Sequence, residues 1–394
     1  MPSLQPVSRE QLPLLLMAAI AALPPLAVDM YLPAIPQIAA DFGADISTIQ
    51  NSLSVFLLGF GLGMLIWGPL SDRHGRRPLA LFGLAGFALS SALLTLSSSA
   101  TLFLGCRLLQ GFLGSAATVV IPAMIRDCYG KDTAKGMSAV TMIMLVAPLL
   151  APLMGSGVLT LAPWQGIFAA LTLYPAVLLV LTWRWLPETR PARSDDTRPR
   201  SSMLGNYRRI LSQRAIWPDL LSFMLSALTF FTYLTSVSFV YITWFGVSET
   251  LFGILFACSA GALILANFIN VRLVTRVGAR RMLRTGLWLG ALCALGLLLV
   301  LRLELGLYWA VAGFVLIVGC LGIAAVNADA LVLIAFPEQA SSAAAVTGTL
   351  RFGFGALAGP ILAWTYTGTP VPVASLMLAT LTSAALLQLL VREF

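Results

Sequence analysis

The chain has 394 residues, of which 59% are hydrophobic and only 10% are charged, and its mean hydropathy is +0.91. These values exclude an ordinary water-soluble domain and indicate a protein with many membrane-spanning helices. The formal net charge of +8 reflects where the positive loops lie relative to the membrane. The lipid bilayer is therefore a predicted partner, and no nucleic acid is expected.

The cysteines and the N-terminal segment give no sign of disulfides, a metal site or a cleaved signal peptide. The five cysteines include no C-x-x-C pair, so neither a disulfide framework nor a metal site is indicated, and no cofactor is predicted. The segment from Met1 to Gln11 lacks a short apolar core followed by a small-residue cleavage site. We therefore expect the first apolar run to be retained as a span.

Twelve apolar runs, each long enough to cross a membrane, follow one another along the chain. They are centred near Ala21, Leu58, Leu89, Gly114, Leu149, Leu173, Leu228, Ala262, Leu292, Val318, Ala356 and Thr380. A hydrophilic segment rich in Arg, Pro and Ser separates the sixth run from the seventh. We predict an all-α membrane protein of twelve transmembrane helices, with six-helix halves over residues 1–187 and 214–394 and a flexible cytoplasmic linker over 188–213.

Lys and Arg are distributed unevenly between the loops on the two sides. With a cytoplasmic N-terminus, all of the 24 Lys and Arg residues lie on the cytoplasmic side except Arg107 and Arg351 within spans and Arg302 outside. Cytoplasmic loops of membrane proteins carry an excess of these residues. The sequence therefore predicts that both termini are cytoplasmic.

The two halves contain similar segments in corresponding places. A basic turn from Gly68 to Arg77 follows the second run, and a related turn from Leu273 to Arg281 follows the eighth. The aligned residues are Leu70 with Leu273, Arg73 with Arg276, Gly75 with Gly278, and Arg77 with Arg280. The fifth and eleventh runs share a small-x3-small-Pro pattern, ending at Pro152 and Pro360. These similarities indicate an internal duplication of a six-helix unit.

The first of these turns carries the pattern G-x-L-x-D-R-x-G-R-R, which resembles the signature of the major facilitator superfamily. The matching residues are Gly68, Leu70, Asp72, Arg73, Gly75, Arg76 and Arg77. The resemblance implies a major facilitator fold with two pseudo-symmetric halves, in which this charge network clamps the inner gate. It also implies that Asp127, near the end of the fourth span, is the partner acid. Alternatively, the charges only orient the loop.

The copy of this turn in the second half is incomplete. Thr275 and Ala279 stand in the places of Asp72 and Arg76. We therefore expect a complete charge clamp only in the first half, so that neutralising Asp72 should disturb gating far more than changing Thr275.

The fifth span resembles the antiporter motif G-x-x-x-G-P-x-x-G-G. The matching positions are Ala147, Ala151, Pro152 and Gly155, with alanine in place of glycine at the first two. Small residues let helices approach closely, and proline bends a helix because it lacks a backbone N–H. The resemblance implies export rather than import.

The first span contains Asp29 within D-M-Y-L-P-A-I-P, which resembles the signature of the Bcr/CflA group of drug:proton antiporters. A carboxylate in mid-membrane costs about 2.5 to 3.5 kcal/mol on insertion scales. Asp29 therefore requires a cavity or a partner, and it is a candidate for loading and releasing a proton. The nearby prolines predict an irregular helix. A structural Asp29 close to the outer membrane face is the alternative.

The fourth span contains Arg107 and Gln110 in an R-x-x-Q-G pattern, which resembles a superfamily motif implicated in proton transfer. A buried guanidinium needs an acid, and Asp29 is the predicted partner. A substrate that competed with the proton for this carboxylate would be exchanged for it. Alternatively, helix carbonyls satisfy Arg107 and its role is structural.

The second half offers fewer candidates. Asp329 in the tenth span is open to three interpretations: a further proton or cation site, a partner of Arg351, or a residue at the cytoplasmic end. Asp219, at the start of the seventh span, is expected to cap a helix. The predicted substrate-binding residues are Asp29, Tyr31, Arg107, Gln110, Phe231, Tyr233 and Asn327, although lipid-facing packing of the aromatic residues is equally open.

Together, these resemblances imply a monomeric, secondary active exporter in a bacterial inner membrane. It would exchange small amphipathic drugs, such as phenicols or bicyclomycin, for protons by alternating access. The alternative is a proton-coupled exporter of a metabolite such as an amino acid or a sugar. An enzyme is not predicted, because the sequence has no catalytic constellation or nucleotide-binding loop, and the duplicated halves disfavour a channel.

Overall fold

The computed structural model describes residues 12–130, 133–189, 203–336 and 340–391. The secondary structure of this part of the chain is helical. Twelve segments are long and apolar enough to cross a membrane, so the predicted all-α architecture of twelve spans is confirmed. We number the spans 1 to 12 in chain order.

The N-terminal half contains spans 1 to 6. Span 1 is divided into the helices Leu12–Ala21, Leu23–Asp29 and Ile35–Phe42, with a 3-10 turn at Leu32–Ala34. Spans 2 and 3 are the helices Ile46–His74 and Arg76–Thr95, and span 4 comprises Ala100–Val119 and Ile121–Tyr129. Spans 5 and 6 are the helices Thr133–Leu159 and Gln165–Trp185. Prolines at the starts of the short helices in spans 1 and 4 explain the breaks, because proline is favoured at the start of a helix and disrupts its interior.

The C-terminal half contains spans 7 to 12. Span 7 is the helix Trp217–Ser238, preceded by a 3-10 turn at Arg214–Ile216 and continued by a π-helical turn at Phe239–Trp244. Spans 8, 9 and 10 are the helices Glu249–Val277, Ala279–Arg302 and Leu307–Ile334. Span 11 comprises Ala340–Gly355 and Ala358–Trp364, and span 12 is Val371–Leu389.

Part of the predicted flexible linker is ordered. Residues Met203–Ser212 form a helix, whose fully buried Ile210 packs in a small apolar cluster with Leu220, Val332 and Phe336. The prediction of a flexible segment is therefore wrong for this part of the linker, since apolar burial stabilises a short helix that would be marginal alone. Residues 190–202 lie outside the described part of the chain.

Two equivalent turns define one end of the bundle. Gly75, between spans 2 and 3, has a φ of 100°, and Gly278, between spans 8 and 9, has a φ of 91°. Residues with side chains rarely adopt such angles, so glycine is favoured in both turns. We call the end of the bundle that holds these turns the basic end, and the opposite end the far end.

The two halves contact each other from the far end to past the middle of the bundle. Near the far end, Ser156 Oγ of span 5 donates to the Glu249 carbonyl of span 8 at 2.7 Å, and Gly359 N of span 11 donates to Ser54 Oγ of span 2 at 2.9 Å. Near the middle, the rings of Phe60 and Phe352 lie 4.7 Å apart. These contacts place spans 1, 2 and 5 against spans 7, 8 and 11.

Candidate functional site

Arg107 lies at the centre of the N-terminal half and is fully buried. Its Nη1 donates to the Ala27 carbonyl at 3.1 Å and to Gln110 Oε1 at 2.5 Å. Gln110 Nε2 in turn donates to Ser91 Oγ at 2.8 Å. The network therefore connects spans 1, 3 and 4, and it holds the Arg107 side chain in one orientation.

Aromatic rings flank the guanidinium of Arg107. Its Cζ lies 4.3 Å from the ring centroid of Tyr31 and 4.6 Å from that of Phe56. The Tyr31 hydroxyl lies 3.0 Å from Ser52 Oγ. Three predicted binding residues, Tyr31, Arg107 and Gln110, thus form one buried cluster stabilised by cation–π contacts and hydrogen bonds.

Asp29 is also buried, with only 3% of its surface exposed. Within the described part of the chain, its Oδ1 has no hydrogen-bond partner and its carboxylate forms no ion pair with Arg107. The predicted pairing of Asp29 with Arg107 is therefore wrong for this conformation. The Arg107 side chain is instead oriented by its Nη1 hydrogen bonds to Ala27 and Gln110 and by two aromatic rings, while its Nε and Nη2 have no hydrogen-bond partner among the described residues.

Asp29 instead faces the second half of the protein. It lies close enough to Tyr233 of span 7 for an electrostatic interaction. The Tyr233 hydroxyl interacts with Ser259 of span 8. A buried acid of one half thus lies near hydroxyl groups of the other, which is an arrangement that favours the entry of a proton or a polar ligand group.

The predicted aromatic residues of span 7 are packed rather than exposed to an open cavity. The Tyr233 ring lies 5.7 Å from Phe256 and 5.5 Å from Phe314, and Phe231 lies 6.0 Å from Phe352. Tyr233 and Phe231 are 1% and 3% exposed. In this conformation they belong to the core near the junction of the halves.

The remaining polar candidates of the second half lie in spans 10 and 11. Asn327 donates to Asn270 Oδ1 of span 8 at 2.6 Å. Asp329 is half-buried and interacts with Thr347 and with Arg351 of span 11, whose side chain is exposed. Asp329 and Arg351 thus lie within range of an electrostatic interaction, without an ion pair between them. Asn270 is a polar contact that the sequence reasoning missed, although an asparagine within an apolar span was a visible signal.

The turn from Gly68 to Arg77, which we call the gate turn, is held by one acid in span 4 and one that follows span 6. Arg76 forms an ion pair with Asp127 of span 4, and its Nη1 also donates to the Ala123 carbonyl at 2.7 Å. The Glu188 carboxylate accepts the backbone N–H groups of Arg76 and Arg77 at 3.1 and 3.2 Å. A β-carbon on Gly75 would lie 2.7 Å from Glu188 Oε2, so a side chain there would displace the carboxylate that holds the turn, and the backbone angle itself favours glycine.

Glu188 was not among the predicted gate residues. The signal in the sequence was an acid directly after span 6, at the same end of the bundle as the gate turn. The structure describes the backbone at Asp72 and Arg73, and their side chains lie outside the description.

The second half has a charge cluster of different composition. Arg280 Nη1 and Nη2 donate to the two carboxylate oxygens of Asp219 at 2.8 and 2.9 Å, and Gln388 Nε2 donates to Asp219 Oδ1 at 3.0 Å. Asp219 lies in the first turn of span 7, at the helix N-terminus where an acid was expected. It does not cap the helix, because its oxygens accept hydrogen bonds from these side chains. The expectation of a clamp confined to the first half also needs correction, since Arg280, the counterpart of Arg77, has an acid of its own.

The antiporter-like segment of span 5 packs closely on span 1. Ala147, Ala151 and Gly155 are buried, and Pro152 lies inside the helix. A β-carbon on Gly155 would collide with the backbone carbonyl of Met30. This close packing lies next to Asp29, so it sets the position of the buried acid.

Twelve spans in two similar halves, with a buried acid at their junction, define the protein as a polytopic membrane transporter rather than an enzyme. The chain belongs to the Major Facilitator Superfamily, whose family model matches residues 17–360. It is 32% identical to the bicyclomycin resistance protein homolog of Haemophilus influenzae, with 91% of each chain covered. It is also 32% identical to the chloramphenicol resistance protein of Pseudomonas aeruginosa, with 89% of this chain and 78% of that protein covered.

The fold matches a solved transporter of the same architecture. The xylose transporter XylE from E. coli, in a partially occluded inward open conformation, superimposes with a TM-score of 0.75. The sequence identity is 15%, and the match covers 98% of this chain and 100% of that chain. The resemblance inferred from the sequence motifs is thus confirmed at the level of family and fold.

Proposed function

We propose that this protein is a drug exporter of a bacterial inner membrane that exchanges small amphipathic drugs for protons. The names of its relatives, a bicyclomycin resistance protein homolog and a chloramphenicol resistance protein, support drug export. The excess of Lys and Arg at the basic end supports a cytoplasmic orientation of that end and of both termini.

The observation that carries the proposal is the position of Asp29. Its carboxyl group is buried, one oxygen lacks a hydrogen-bond partner among the described residues, and it faces Tyr233 of the other half. An unpaired carboxylate is costly in such a place, so a proton or a polar drug group that binds there is stabilised. The same carboxylate cannot accept both fully, and this exclusion is sufficient for exchange.

Arg107 then has a different role from the one its sequence motif implied. In this conformation Arg107 does not form an ion pair with Asp29. It instead contacts Tyr31 of span 1 and Gln110 of span 4 in a buried cluster. We infer that the cluster fixes the backbone at Ala27, two residues before Asp29, and so orients the proton-binding carboxyl group. Asp329 of span 10, which interacts electrostatically with Arg351 of span 11, is a second candidate for proton binding.

The contacts between the halves support alternating access. They extend from the far end to past the middle of the bundle, so separation of these contacts would open a path from Asp29 to the far side. The ion pair of Arg76 with Asp127 holds the basic end of the N-terminal half together during this movement.

The test combines drug susceptibility with transport. The chain is expressed in a bacterium that lacks its main efflux pumps, and growth is measured with chloramphenicol and with bicyclomycin. In everted membrane vesicles, addition of the drug should release protons from the energised interior. The variant Asp29→Asn should lose both effects, whereas Asp45→Asn, at an exposed position in the far-end loop, should keep them.

Two outcomes would contradict the proposal. Drug-dependent proton release that is undiminished in Asp29→Asn would remove Asp29 from coupling. Unchanged drug susceptibility, together with loss of an amino acid or a sugar from loaded cells, would favour a metabolite exporter instead.

A further inference from the structure

A cleft opens at the basic end of the C-terminal half. Its volume is about 910 Å³. It lies between the start of span 7, the turn at Gly278 and the end of span 12. The residues that line it include Arg214, Pro218, Gly278, Arg280, Arg281 and Leu390. The cleft is thus bordered by three arginines from two segments that are far apart in the sequence.

Two of these arginines have no acidic partner in the part of the chain that the structure describes. Arg280 is neutralised by Asp219. Arg214 and Arg281 are exposed, and neither forms an ion pair with any residue in the described part of the chain. Among the described residues, the cleft therefore carries a net positive charge. Paired guanidinium groups bind phosphate oxygens through short charge-assisted hydrogen bonds, so the fitting ligand is an anionic phosphate group.

The walls of the cleft are held in place before any ligand binds. The bidentate pair of Arg280 with Asp219 fixes the turn after Gly278 to the start of span 7. Arg284 Nη2 donates to the carbonyls of Gln388 and Val391 at 2.9 and 2.7 Å, which joins span 9 to the end of span 12. A preformed site loses little conformational entropy on binding.

The rim of the cleft carries exposed apolar side chains, which a site for a small soluble anion would not need. Leu390 is 75% exposed and Val277 is 37% exposed, and both lie at the ends of spans. We propose that the cleft binds an anionic phospholipid, with its phosphate between Arg214 and Arg281 and its acyl chains along Leu390 and Val277. Basic pockets between transmembrane helices are suited to such headgroups.

The test measures lipid binding to the full-length protein in a neutral detergent. Native mass spectrometry gives the bound fraction during titration with phosphatidylglycerol, with phosphatidylcholine, and with phosphatidylglycerol in the presence of inorganic phosphate. The cleft variant is Arg214→Gln with Arg281→Gln. The matched control is Arg276→Gln with Arg302→Gln, because both residues are exposed arginines that do not line the cleft.

We expect the wild-type protein and the control to prefer phosphatidylglycerol to phosphatidylcholine by about tenfold, since charge-assisted hydrogen bonds are the strong ones. The cleft variant should lose most of this preference. The variant Arg214→Lys with Arg281→Lys, which keeps the charge, should retain part of it. This second variant also keeps the test valid if the glutamine variant fails to fold, which its thermal unfolding temperature without lipid would reveal.

Three results would overturn the proposal. Equal losses in the cleft variant and the control would show that binding follows net charge alone. Full displacement of the lipid by millimolar inorganic phosphate would show that the cleft recognises the free anion. Binding that occurs only after removal of residues 392–394, which follow Val391 and include Glu393, would show that the chain's own terminus occupies the cleft.

Discussion

The guanidinium of Arg107 lies over the ring of Tyr31, with Cζ 4.3 Å from the ring centroid, while the Tyr31 hydroxyl lies 3.0 Å from Ser52 Oγ. One tyrosine side chain thus connects spans 1, 2 and 4. Both contacts are buried, so each is made in a medium of low dielectric constant, where polar interactions are strong. The residue that follows Asp29 and Met30 in the chain therefore anchors span 1 to the N-terminal half.

The two contacts of Tyr31 can be separated by substitution. Tyr31→Phe removes the hydrogen bond and should lower the free energy of unfolding by about 1 kcal/mol. Tyr31→Leu also removes the ring from the guanidinium, which should cost about 2 kcal/mol more for a desolvated cation–π contact. Thermal unfolding of the purified wild-type protein and both variants in the same detergent measures how much each substitution destabilises the protein. Equal destabilisation by Phe and Leu would show that the ring contributes no cation–π stabilisation.

Gly155 of span 5 should tolerate no side chain. In Gly155→Ala, the added methyl group collides with the Met30 carbonyl, so span 5 must move away from span 1. Overpacking of this kind costs typically about 1 to 3 kcal/mol, and drug transport should fall because Asp29 is displaced. Gly157→Ala is the control, since a β-carbon there meets no atom within 4 Å. Similar transport by both variants would argue against a role for this packing.

Removing one partner of the Arg76–Asp127 ion pair should destabilise the protein more than removing both, because a single removal leaves a charge without its partner. The side chains are 6% and 16% exposed, so Asp127→Asn leaves a nearly buried guanidinium without its acid. Loss of one partner from a buried pair costs about 3 to 5 kcal/mol, and this pair should fall at or below that range because it is not fully buried. The double variant Arg76→Gln with Asp127→Asn should recover part of the loss in thermal unfolding. A double variant less stable than both single variants would contradict this explanation.

Glu188 should hold the backbone of the gate turn in place. Its carboxylate accepts the backbone N–H groups of Arg76 and Arg77, and Glu188→Gln replaces one of the two acceptor oxygens with an NH₂ group. We expect faster hydrogen exchange of these two amides, by about tenfold, because a charge-assisted hydrogen bond is lost. Glu304→Gln, at an exposed far-end position, should leave their exchange unchanged. Unchanged exchange in Glu188→Gln would show that other contacts hold the turn.

The gate turn shows how far local sequence reasoning reaches. Its position, its glycine and its duplication were all visible in the chain, because a charged segment between apolar runs has to leave the membrane. Its partners were only partly visible. Asp127 was inferred from a family resemblance, whereas Glu188 was missed, since an acid after span 6 becomes relevant only once span 6 packs beside span 3.

The partners of the buried charges were the least predictable feature. Asp29 and Arg107 were natural partners by charge, yet the guanidinium lies between two aromatic rings, and its Nη1 donates to a carbonyl and an amide. Its Nε and Nη2 have no hydrogen-bond partner among the described residues. Asp219 was expected to cap the start of span 7, and it instead binds Arg280 at the start of span 9. In both cases the outcome depended on which side chains approach from other spans, and spacing along one helix carries no information about that.

The sequence by itself determined the membrane class, the twelve spans, the duplicated halves and the presence of acids that must be buried. These follow from hydrophobicity and charge, which act through the solvent and need no knowledge of neighbours. Only the tertiary structure decided that Asp29 faces Tyr233 rather than Arg107, that the linker is partly helical, and that Arg214 and Arg281 share a cleft. The physical reason is that short-range contacts between side chains are settled by helix packing, in which residues far apart in the chain compete for the same partner.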